Sequence, residues 1–286
     1  MPLKFPLKSK QNSADNPSRA QVVGLCRFSF VSNGGFQYRF DSPEEATTTL
    51  FAEHRIRRRL EMFERMLVPS LAAQTDQDFT LVILTSDRMP EPWLERLHDA
   101  VAQLPRCVIV QEPPAPHWRA TREALHKGLT RDDGWIFYFR IDDDDALAVD
   151  YVAQVRAYAS LLAEIMDRSD SPIAALDFTH GVQAVWDDTR CAEIYDNRRL
   201  HSSQGMGTLV KGRSPLTVMT HPHHKAWHKL PTLTLHEPVM YLQSSHPLQD
   251  TGRIFKPAGE LYAESEAREV LARRFGLALD RLRQPL

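Results

Sequence analysis

Four consecutive aspartates occupy positions 142–145 of this 286-residue chain, and their type and spacing point to chemistry most directly. Four neighbouring carboxylates repel one another, so water, backbone amides or a cation must offset their charge. Hard oxygen ligands at this spacing suit Mg²⁺ or Mn²⁺, with a diphosphate completing the coordination shell. In an extended segment Asp142 and Asp144 point the same way and Asp143 faces away. Asp145 reaches the same site if the chain turns there.

The alternative for these aspartates is an exposed turn in which one of them caps the helix that starts near residue 149. The run, however, follows directly on the apolar segment WIFYFRI at residues 135–141. Open α/β sheets present ligands at the carboxyl ends of such strands. Because capping alone needs no run of four acids at that place, we expect a metal–diphosphate site.

Histidines form a second concentration of chemically active side chains, because half of the 12 fall within residues 221–246. They are His221, His223, His224, His228, His236 and His246. Neutral imidazole binds metals and titrates near neutrality, so this segment offers a third metal ligand or a general base. A solvated group of loop histidines is the alternative, and zinc bound by this segment alone is disfavoured because no cysteine assists.

Three further groups have both a binding and a structural interpretation. Residues 201–208 (HSSQGMGT) suit a phosphate or acceptor loop, or an ordinary turn. Arg198 and Arg199 suit a diphosphate contact or the surface. The arginines at 55 and 57–59 suit a solvated helix face, an acid-pairing face or a membrane-surface contact. No P-loop, G-x-G-x-x-G or G-x-S-x-G pattern occurs, so P-loop, dinucleotide and serine-hydrolase functions have no support.

The elements that must position these residues alternate between strands and helices. The predicted strands span residues 22–31, 79–85, 107–110 and 135–141, and the predicted helices span residues 92–104, 119–129 and 149–166. This alternation indicates a mainly parallel sheet with helices on both faces. A further helix starts with a capping box at Ser42, Pro43 and Glu45. It carries a buried stripe made of Ile56, Leu60, Phe63 and Leu67.

The second half of the chain is predicted to be smaller and less regular. Short strands at residues 173–178, 182–186 and 191–195 indicate hairpins, residues 201–260 have an irregular pattern, and helices follow at residues 265–274 and near Asp280. Residues 1–20 combine prolines, lysines and polar residues without periodicity, and we expect a disordered lead. With no evident linker, residues 21–286 are expected to form a single domain.

Composition excludes several classes of protein. Lys plus Arg is 35 and Asp plus Glu is 37, a near balance that argues against a nucleic-acid binder. The longest apolar runs, at residues 79–84 and 135–139, fall far short of the roughly 20 residues of a membrane-spanning helix. The N-terminal segment lacks the apolar core of a signal peptide. Three widely spaced cysteines predict no disulfide framework, which favours a reducing, cytoplasmic location.

Several of these segments also resemble a known family. WIFYFRIDDDDALAVDYV (residues 135–152) resembles the D-x-D strand of GT-A glycosyltransferases. VPSLAAQTDQDFTLVILTSDR (residues 68–88) is similar to the segment in which those enzymes place S-x-x-x-Q-T, a strand and an acid. HWRATREALHKGL (residues 117–129) resembles the arginine-containing helix before their D-x-D strand. With SFVSNGGFQYRF at its front, the pattern over residues 22–160 is most similar to a bacterial rhamnosyltransferase family, and weaker similarity extends to about residue 260.

The resemblance implies a GT-A fold, in which a Rossmann-like sheet binds a nucleotide sugar at its strand ends. Residues 22–160 are then the nucleotide-sugar half and residues 161–286 the acceptor half. Asp142 and Asp144 match the metal-binding pair, and Asp145 matches the acid that follows it. The positions matched to nucleotide-sugar contacts are Arg27, Asp87, Arg119, Arg122 and Asp142. The chain departs from the family pattern in lacking a clear E-D motif for the catalytic base, for which Asp250 and His246 are the candidates.

These features predict a transferase that moves a hexosyl group, rhamnosyl by the family's name, from a nucleoside diphosphate sugar to a glycan or lipid-linked acceptor. Mg²⁺ or Mn²⁺ is the expected cofactor, since it neutralises the departing diphosphate. Peripheral contact with a membrane is left open. Two other classes are weighed against this one: a nucleotidyltransferase-type phosphoryl-transfer enzyme, and a non-catalytic GT-A-like module that binds sugar or protein.

Overall fold

The computed structural model describes residues 15–33, 40–187, 189–249 and 256–286. The strands of the first part are β1 (Gln21–Arg27), β2 (Ser32–Asn33), β3 (Phe79–Ser86), β4 (Cys107–Glu112), β5 (Ala115–Pro116), β6 (Trp135–Asp142) and β7 (Ala146–Leu147). The helices are α1 (Pro43–Leu50), α2 (Glu53–Arg65), α3 (Leu67–Ala72), α4 (Glu91–Val101), α5 (His117–Lys127) and α6 (Tyr151–Ser169). A 3-10 turn at Pro17–Arg19 precedes β1.

The later part contributes strands to both of the larger sheets. Its strands are β8 (Ile173–Phe178), β9 (His180–Trp186), β10 (Cys191–Arg198), β11 (Gly207–Lys211), β12 (Thr232–Leu235) and β13 (Tyr241–Ser245). Its helices are α7 (His223–Ala226), α8 (Glu264–Val270) and α9 (Leu279–Leu282), with a π-helical segment at Leu271–Phe275 between the last two. Within the described ranges, no helix combines the length and apolarity needed to cross a bilayer.

The main sheet has seven strands in the order β12-β8-β11-β6-β1-β3-β4. All of them run parallel except β11, which lies antiparallel between β6 and β8. The carboxyl ends of β1, β3, β6 and β8 therefore meet at one edge. The prediction of an α/β fold with a mainly parallel sheet flanked by helices is confirmed.

The two faces of this sheet are covered by different helices, as the alternation of side chains along a strand requires. On one face Phe137, Phe139 and Ile141 of β6 join the larger core cluster, which includes residues of α2, α4 and α6. On the other face Ile136 and Tyr138 join a smaller cluster with residues of α5 and α7. This second face carries the polar side chains at the ends of the strands.

A second, four-stranded sheet in the order β10-β9-β13-β7 starts where the aspartate run ends. Its strand β7 follows directly on the run, which itself forms the turn after β6, and β13 pairs with β7 on one side and with β9 on the other. Residues of both sheets share the larger core cluster. The aspartates therefore lie at the junction of two sheets, where a short connection fixes their direction.

Several predicted boundaries are wrong, each for a local reason. The first strand ends at Arg27 rather than at residue 31, because Ser29 takes a positive φ of 50° that no strand contains. The helix predicted from Ser42 is three helices, since the backbone leaves helical geometry at Ala52 and at Met66. Its cap is as predicted, with the Glu45 amide donating to Ser42 Oγ at 3.1 Å.

The prediction for the second half is correct in part. β9 and β10 form an antiparallel hairpin, and helices occur close to the two predicted C-terminal positions. The predicted hairpin of β8 with β9 does not form, because β8 enters the main sheet and β9 the second sheet. Residues 201–260, predicted to be irregular, contain β11, β12 and β13. These strands have only four or five residues, too few for a periodic pattern to identify.

Candidate functional site

The aspartate run forms a tight turn at the end of β6, not an extended segment. Asp142 ends the strand, and the amide of Asp145 donates to the carbonyl of Asp142 at 3.3 Å. Adjacent side chains therefore reach different surroundings. The extended geometry that would separate Asp143 from Asp142 and Asp144 is absent, and the fully buried Asp143 instead shares the guanidinium of Arg59 with Asp144.

Asp142 is the most accessible of the four carboxylates, with its side chain 29% exposed. Its Oδ1 lies 3.2 Å from a guanidinium nitrogen of Arg27 on β1 and 3.5 Å from one of Arg140 on β6. Burial alone would raise the pKa of Asp142, but the two arginines outweigh burial and hold the pKa below its usual range. The carboxylate is therefore ionised and lies beside two cations.

Asp143 and Asp144 are held by Arg59 of α2. The guanidinium of Arg59 binds both carboxylate oxygens of Asp143, and it lies 3.3 Å from Asp144. His246, just after β13, approaches Asp144 with Nε2 at 2.7 Å from Oδ2. Burial raises the pKa of Asp144, but Arg59 and His246 reverse that effect and lower it strongly. Because all four side chains are at most 10% exposed, this is a buried ionic network.

Asp145 faces the second sheet and is 2% exposed. One of its oxygens accepts the amide of Ser244 at 2.8 Å, and the other accepts the side-chain amide of Gln204 at 2.9 Å. Burial and the neighbouring charges of Asp144 and Asp142 raise the pKa of Asp145 well above its usual range. Asp145 therefore differs from its neighbours in having amides, rather than arginines, as its closest partners.

Five side chains define what we call the strand-end site: Arg27, His117, Arg140, Asp142 and His223. Arg27 donates to Nε2 of His117, the first residue of α5, at 3.1 Å. Burial, with Arg27 and Arg140 nearby, lowers the pKa of His117 to about 3. The pKa of His223 falls to about 4 through burial and the charge of Arg140, while Asp142 acts in the opposite direction. Both imidazoles are therefore neutral at neutral pH.

A second carboxylate lies on the same face of the sheet, two strands away. Asp177 follows Ala175 in the alternation of β8, and Ala175 belongs to the cluster on the face that carries the strand-end site. Oδ2 of Asp177 accepts the amide of His201 at 3.0 Å and lies 3.3 Å from Nδ1 of that histidine. Burial raises the pKa of Asp177. This carboxylate fixes the start of the segment that leads back to β11.

The predicted nucleotide contacts are only partly brought together. Arg27 lies against Asp142, as the site requires. Asp87, one residue after β3, is exposed. Arg119 pairs with Glu123 along α5, and Arg122 lies 5.1 Å from the ring centre of the exposed Trp118. None of these three contacts the aspartates among the described residues, so their nucleotide roles stay predictions.

The two predicted catalytic bases have different outcomes. Asp250 lies outside the described residues. His246 is fully buried, its Nε2 meets Asp144, and its Nδ1 accepts the amide of Leu248 at 3.2 Å. In this arrangement both ring nitrogens of His246 are engaged. Its role as a base therefore stays a prediction, and the contact that the structure does show is the one that holds Asp144.

The segment 201–208 packs against β6 instead of forming an open phosphate loop. The amide of Gly205 donates to the carbonyl of Arg140 at 3.1 Å, and Gln204 holds Asp145. Arg198 pairs with Asp196 and Glu237. The ordinary structural interpretation of both groups is the one that the geometry favours.

The basic run of α2 was predicted with three alternatives, and acid pairing is the one confirmed, for Arg59. The solvated-face alternative is wrong for Arg55, Arg58 and Arg59, which are 8%, 8% and 4% exposed. Arg57 alone of the run is exposed. A membrane-facing basic surface needs exposed side chains, so the run does not form one.

A divalent cation would find two suitable carboxylates here. Among the described residues no group of three or more His, Cys, Asp or Glu side chains converges as a metal site. Mg²⁺ needs only one or two carboxylates when substrate phosphates complete its shell. Asp142 and Asp144 are ligands of the required type, and Oδ2 of Asp144 also contacts Arg59 and His246. Asp145 fits less well, because each of its oxygens already accepts an amide hydrogen.

Sequence reasoning gave no individual role to four residues of this region: Arg140, His117, Asp177 and His201. A signal for Arg140 existed, because a charged residue interrupts the aromatic strand two positions before Asp142. Asp177 gave the same kind of signal, because it is a charged residue near the carboxyl end of the otherwise apolar strand β8. His117 and His201 begin two segments that the sequence singled out for other reasons, residues 117–129 and 201–208, and only the folded chain brings their side chains to the site.

Comparison with solved structures finds limited similarity. The chain is similar to S. aureus TarS 1-349 in complex with UDP, with a TM-score of 0.40, 12% identity, and coverage of 79% of this chain and 61% of that one. For S. aureus TarS 1-349 in complex with UDP-GlcNAc the TM-score is 0.41 at 12% identity, with 82% and 62% covered. The chain thus spans less than two thirds of the length of these TarS chains. Among curated proteins, none matches.

The sequence profile of one family covers most of the chain. The family is described as "Putative rhamnosyl transferase", and its profile matches residues 21–257. That range contains every described residue of the strand-end site and of the ionic network around the aspartates. The chain therefore belongs to this family of glycosyltransferases.

Proposed function

We propose that the protein transfers a hexosyl group, rhamnosyl in the first instance, from a nucleoside diphosphate sugar to a hydroxyl of a glycan or lipid-linked acceptor. The observation that carries this proposal is the convergence of Arg27 and Arg140 on Asp142 at the carboxyl edge of the parallel sheet. Guanidinium groups bind phosphate oxygens in a bidentate manner, and both arginines are largely buried. The family of the chain supports glycosyl transfer as the reaction.

In the proposed reaction the chain's own residues bind and orient the donor. Arg27 and Arg140 bind the diphosphate, whose charge grows as the bond to the sugar breaks, and this interaction is strongest in the transition state. Asp142 and Asp144 would hold Mg²⁺ or Mn²⁺, which supplies charge neutralisation at the leaving diphosphate. Arg59 and His246 fix the direction of Asp144. The later part of the chain supplies the acceptor site.

A thermal-shift panel of UDP-, GDP- and dTDP-sugars, each with and without Mn²⁺, tests the proposal. Binding to the folded state raises the melting temperature by mass action, so one nucleotide class should give a clear shift. Asp142→Ala and Asp144→Ala should abolish the Mn²⁺-dependent part of the shift. In calorimetry with the selected nucleotide, Arg140→Met should weaken affinity about 10- to 100-fold, as the loss of a charged hydrogen bond implies.

Arg168→Met is the matched control, because Arg168 is an exposed arginine near the end of α6. Its nucleotide affinity should stay within about threefold of wild type. Turnover of a nucleoside triphosphate would instead indicate a nucleotidyltransferase. Glycan binding without nucleotide affinity would indicate a non-catalytic module. Either result overturns the proposal.

A further inference from the structure

His223 has its ring orientation fixed by a bond that leaves one nitrogen able to accept a proton. Nδ1 of His223 lies 2.6 Å from the carbonyl oxygen of His201. Because a carbonyl only accepts hydrogen bonds, Nδ1 must carry the proton, and the lone pair of the neutral ring is then at Nε2. Among the described residues, no hydrogen-bond partner of that Nε2 is found.

The surroundings of His223 keep it neutral and place it in the strand-end site. The side chain is half-buried, and burial together with the charge of Arg140 lowers its pKa to about 4. The groups that face it are Arg140 and Asp142 at the end of β6, the carbonyl of His201, and His224 on its own helix. Ala226 of the same helix packs in the core cluster beneath this face of the sheet.

The carbonyl that orients His223 is itself held in an unusual conformation. His201 has a positive φ of 53°, a region that few non-glycine residues adopt. Its amide and its ring both approach the buried carboxylate of Asp177, at 3.0 Å and 3.3 Å. The ring also stacks on Trp227, with centroids 6.3 Å apart. Asp177 thus sets the backbone of His201, which in turn sets the ring of His223.

The other described histidines of the segment are less suited to this chemistry. His221 is half-buried, but no hydrogen bond among the described residues fixes its tautomer. Both nitrogens of His246 are engaged within the core, and His236 shares Nδ1 with the hydroxyl of Thr179 at 3.0 Å. His224 and His228 are exposed. His223 combines partial exposure, a fixed tautomer and proximity to Asp142.

We infer that His223 is the catalytic base of the transfer, and that Asp177 and His201 are the residues that position it. The inference rests on the proposed function and adds the group that activates the acceptor. Nε2 takes the proton of the acceptor hydroxyl, and the acceptor oxygen forms its bond to the anomeric carbon. The bond from that carbon to the diphosphate breaks, and its electron pair leaves with the diphosphate. A single displacement of this kind inverts the anomeric configuration.

The charge of Arg140 links the basicity of His223 to the presence of the donor. In the free enzyme Arg140 disfavours protonation of His223. A bound diphosphate offsets that positive charge, so the imidazole becomes a stronger base once the donor is present. The acceptor is then activated only beside a bound donor.

Steady-state transfer with the nucleotide sugar selected by the thermal-shift panel tests the inference. His223→Ala should lower kcat about 10²- to 10⁴-fold, the usual contribution of a general base, while the calorimetric Kd for the nucleotide stays within about threefold. Added imidazole should restore part of the activity of His223→Ala. His224→Ala, the exposed neighbour, is the control and should change kcat less than about threefold.

Asp177→Asn tests whether Asp177 positions the catalytic His223. It should lower kcat by about tenfold without changing the donor KM, and the double variant with His223→Ala should be no slower than His223→Ala alone, since both act through one base. The inference would be overturned if folded His223→Ala kept full activity or lost nucleotide binding. It would equally be overturned if the effects in the double variant were additive, or if the product retained the anomeric configuration of the donor. Absence of any glycosyl transfer by the wild-type protein would instead defeat the proposed function and the inference together.

Discussion

Each of the four consecutive carboxylates has its own set of partners, and that is why the run is tolerated. Arg27 and Arg140 balance Asp142, Arg59 binds Asp143, and His246 joins Arg59 at Asp144. The pKa of Asp145 is raised instead, because burial and its acidic neighbours disfavour its charge. The negative charge of the run is thus balanced by cationic partners on β1, α2 and β6 and by His246 at the end of β13.

Replacing Arg59 by Met should destabilise the protein by about 3–5 kcal/mol, because it removes the guanidinium from a carboxylate that is fully buried. The volume is nearly conserved, so the loss comes from charge and not from packing. Urea unfolding at neutral pH measures it.

Arg57→Met on the same helix is the control, since the Arg57–Glu53 pair is solvent-exposed. Its effect should stay within about 0.5 kcal/mol. Equal destabilisation by the two substitutions would contradict a structural role for the buried pair.

At this scale the sequence identifies acids and histidines but not their partners. Asp142 could be chosen because four acids follow an apolar strand, a local pattern. The partners of Asp143 and Asp144 lie more than 80 positions away, so nothing local connects Arg59 to them. His223 was within the predicted histidine group, but the carbonyl of His201 that distinguishes it from its neighbours is a product of the fold.

Among the elements, β11 matters most to the site because it lies between the strand that carries Asp142 and the strand that carries Asp177. Gly207, its first residue, lies against the ring of Phe137 on β6. A Cβ at this position would lie 2.2 Å from that ring and 2.9 Å from the carbonyl oxygen of Tyr138. Glycine is therefore needed here for a close approach of two strands.

Gly207→Ala should destabilise the protein by about 1–3 kcal/mol, the usual cost of overpacking, and should weaken nucleotide binding as well. The second effect is expected because the neighbouring Met206 carbonyl accepts the amide of Arg140 at 3.2 Å. Thermal unfolding and calorimetry with the selected nucleotide measure the two effects.

Lys211→Ala, at the exposed end of the same strand, is the matched control and should leave both quantities nearly unchanged. A Gly207→Ala protein with wild-type melting temperature and nucleotide affinity would show that β11 can shift at no cost.

Strand β11 itself could not be predicted, because GTLVK gives five residues with little alternation between two turns. β6 has six apolar or aromatic residues among its eight positions, and the other two are Arg140 and Asp142. It was predicted within one residue of its end because such a composition is rare outside a buried strand.

At the scale of the whole molecule, the main sheet could be predicted from the alternation of strands and helices in the sequence, whereas the second sheet could not. A parallel α/β arrangement needs long, periodic elements, and α6 and β3 show them clearly. The second sheet joins β7, of two residues, to the β9–β10 hairpin and to β13, which come from two other regions of the chain. Long-range pairings of that kind leave no local pattern. The same sheet contributes residues to the core that the main sheet uses.

Two thiols of this core, those of the half-buried Cys107 and the buried Cys191, limit its stability at alkaline pH. Burial raises the pKa of Cys107 and of Cys191 to about 12, from an ordinary value of 9.0. Between those values the unfolded chain releases the thiol protons while the folded protein keeps them, so the stability present below pH 9 is lost as the pH rises towards 12. At pH 10 the loss of unfolding free energy should be about 1.4 kcal/mol for each thiol.

Urea unfolding at pH 8 and pH 10 measures this loss. Cys191→Ala, whatever its own stability, should show a pH dependence that is smaller by that amount. An unchanged dependence in Cys191→Ala would mean that this thiol titrates alike in the folded and unfolded states, and so that it is solvated in the native protein.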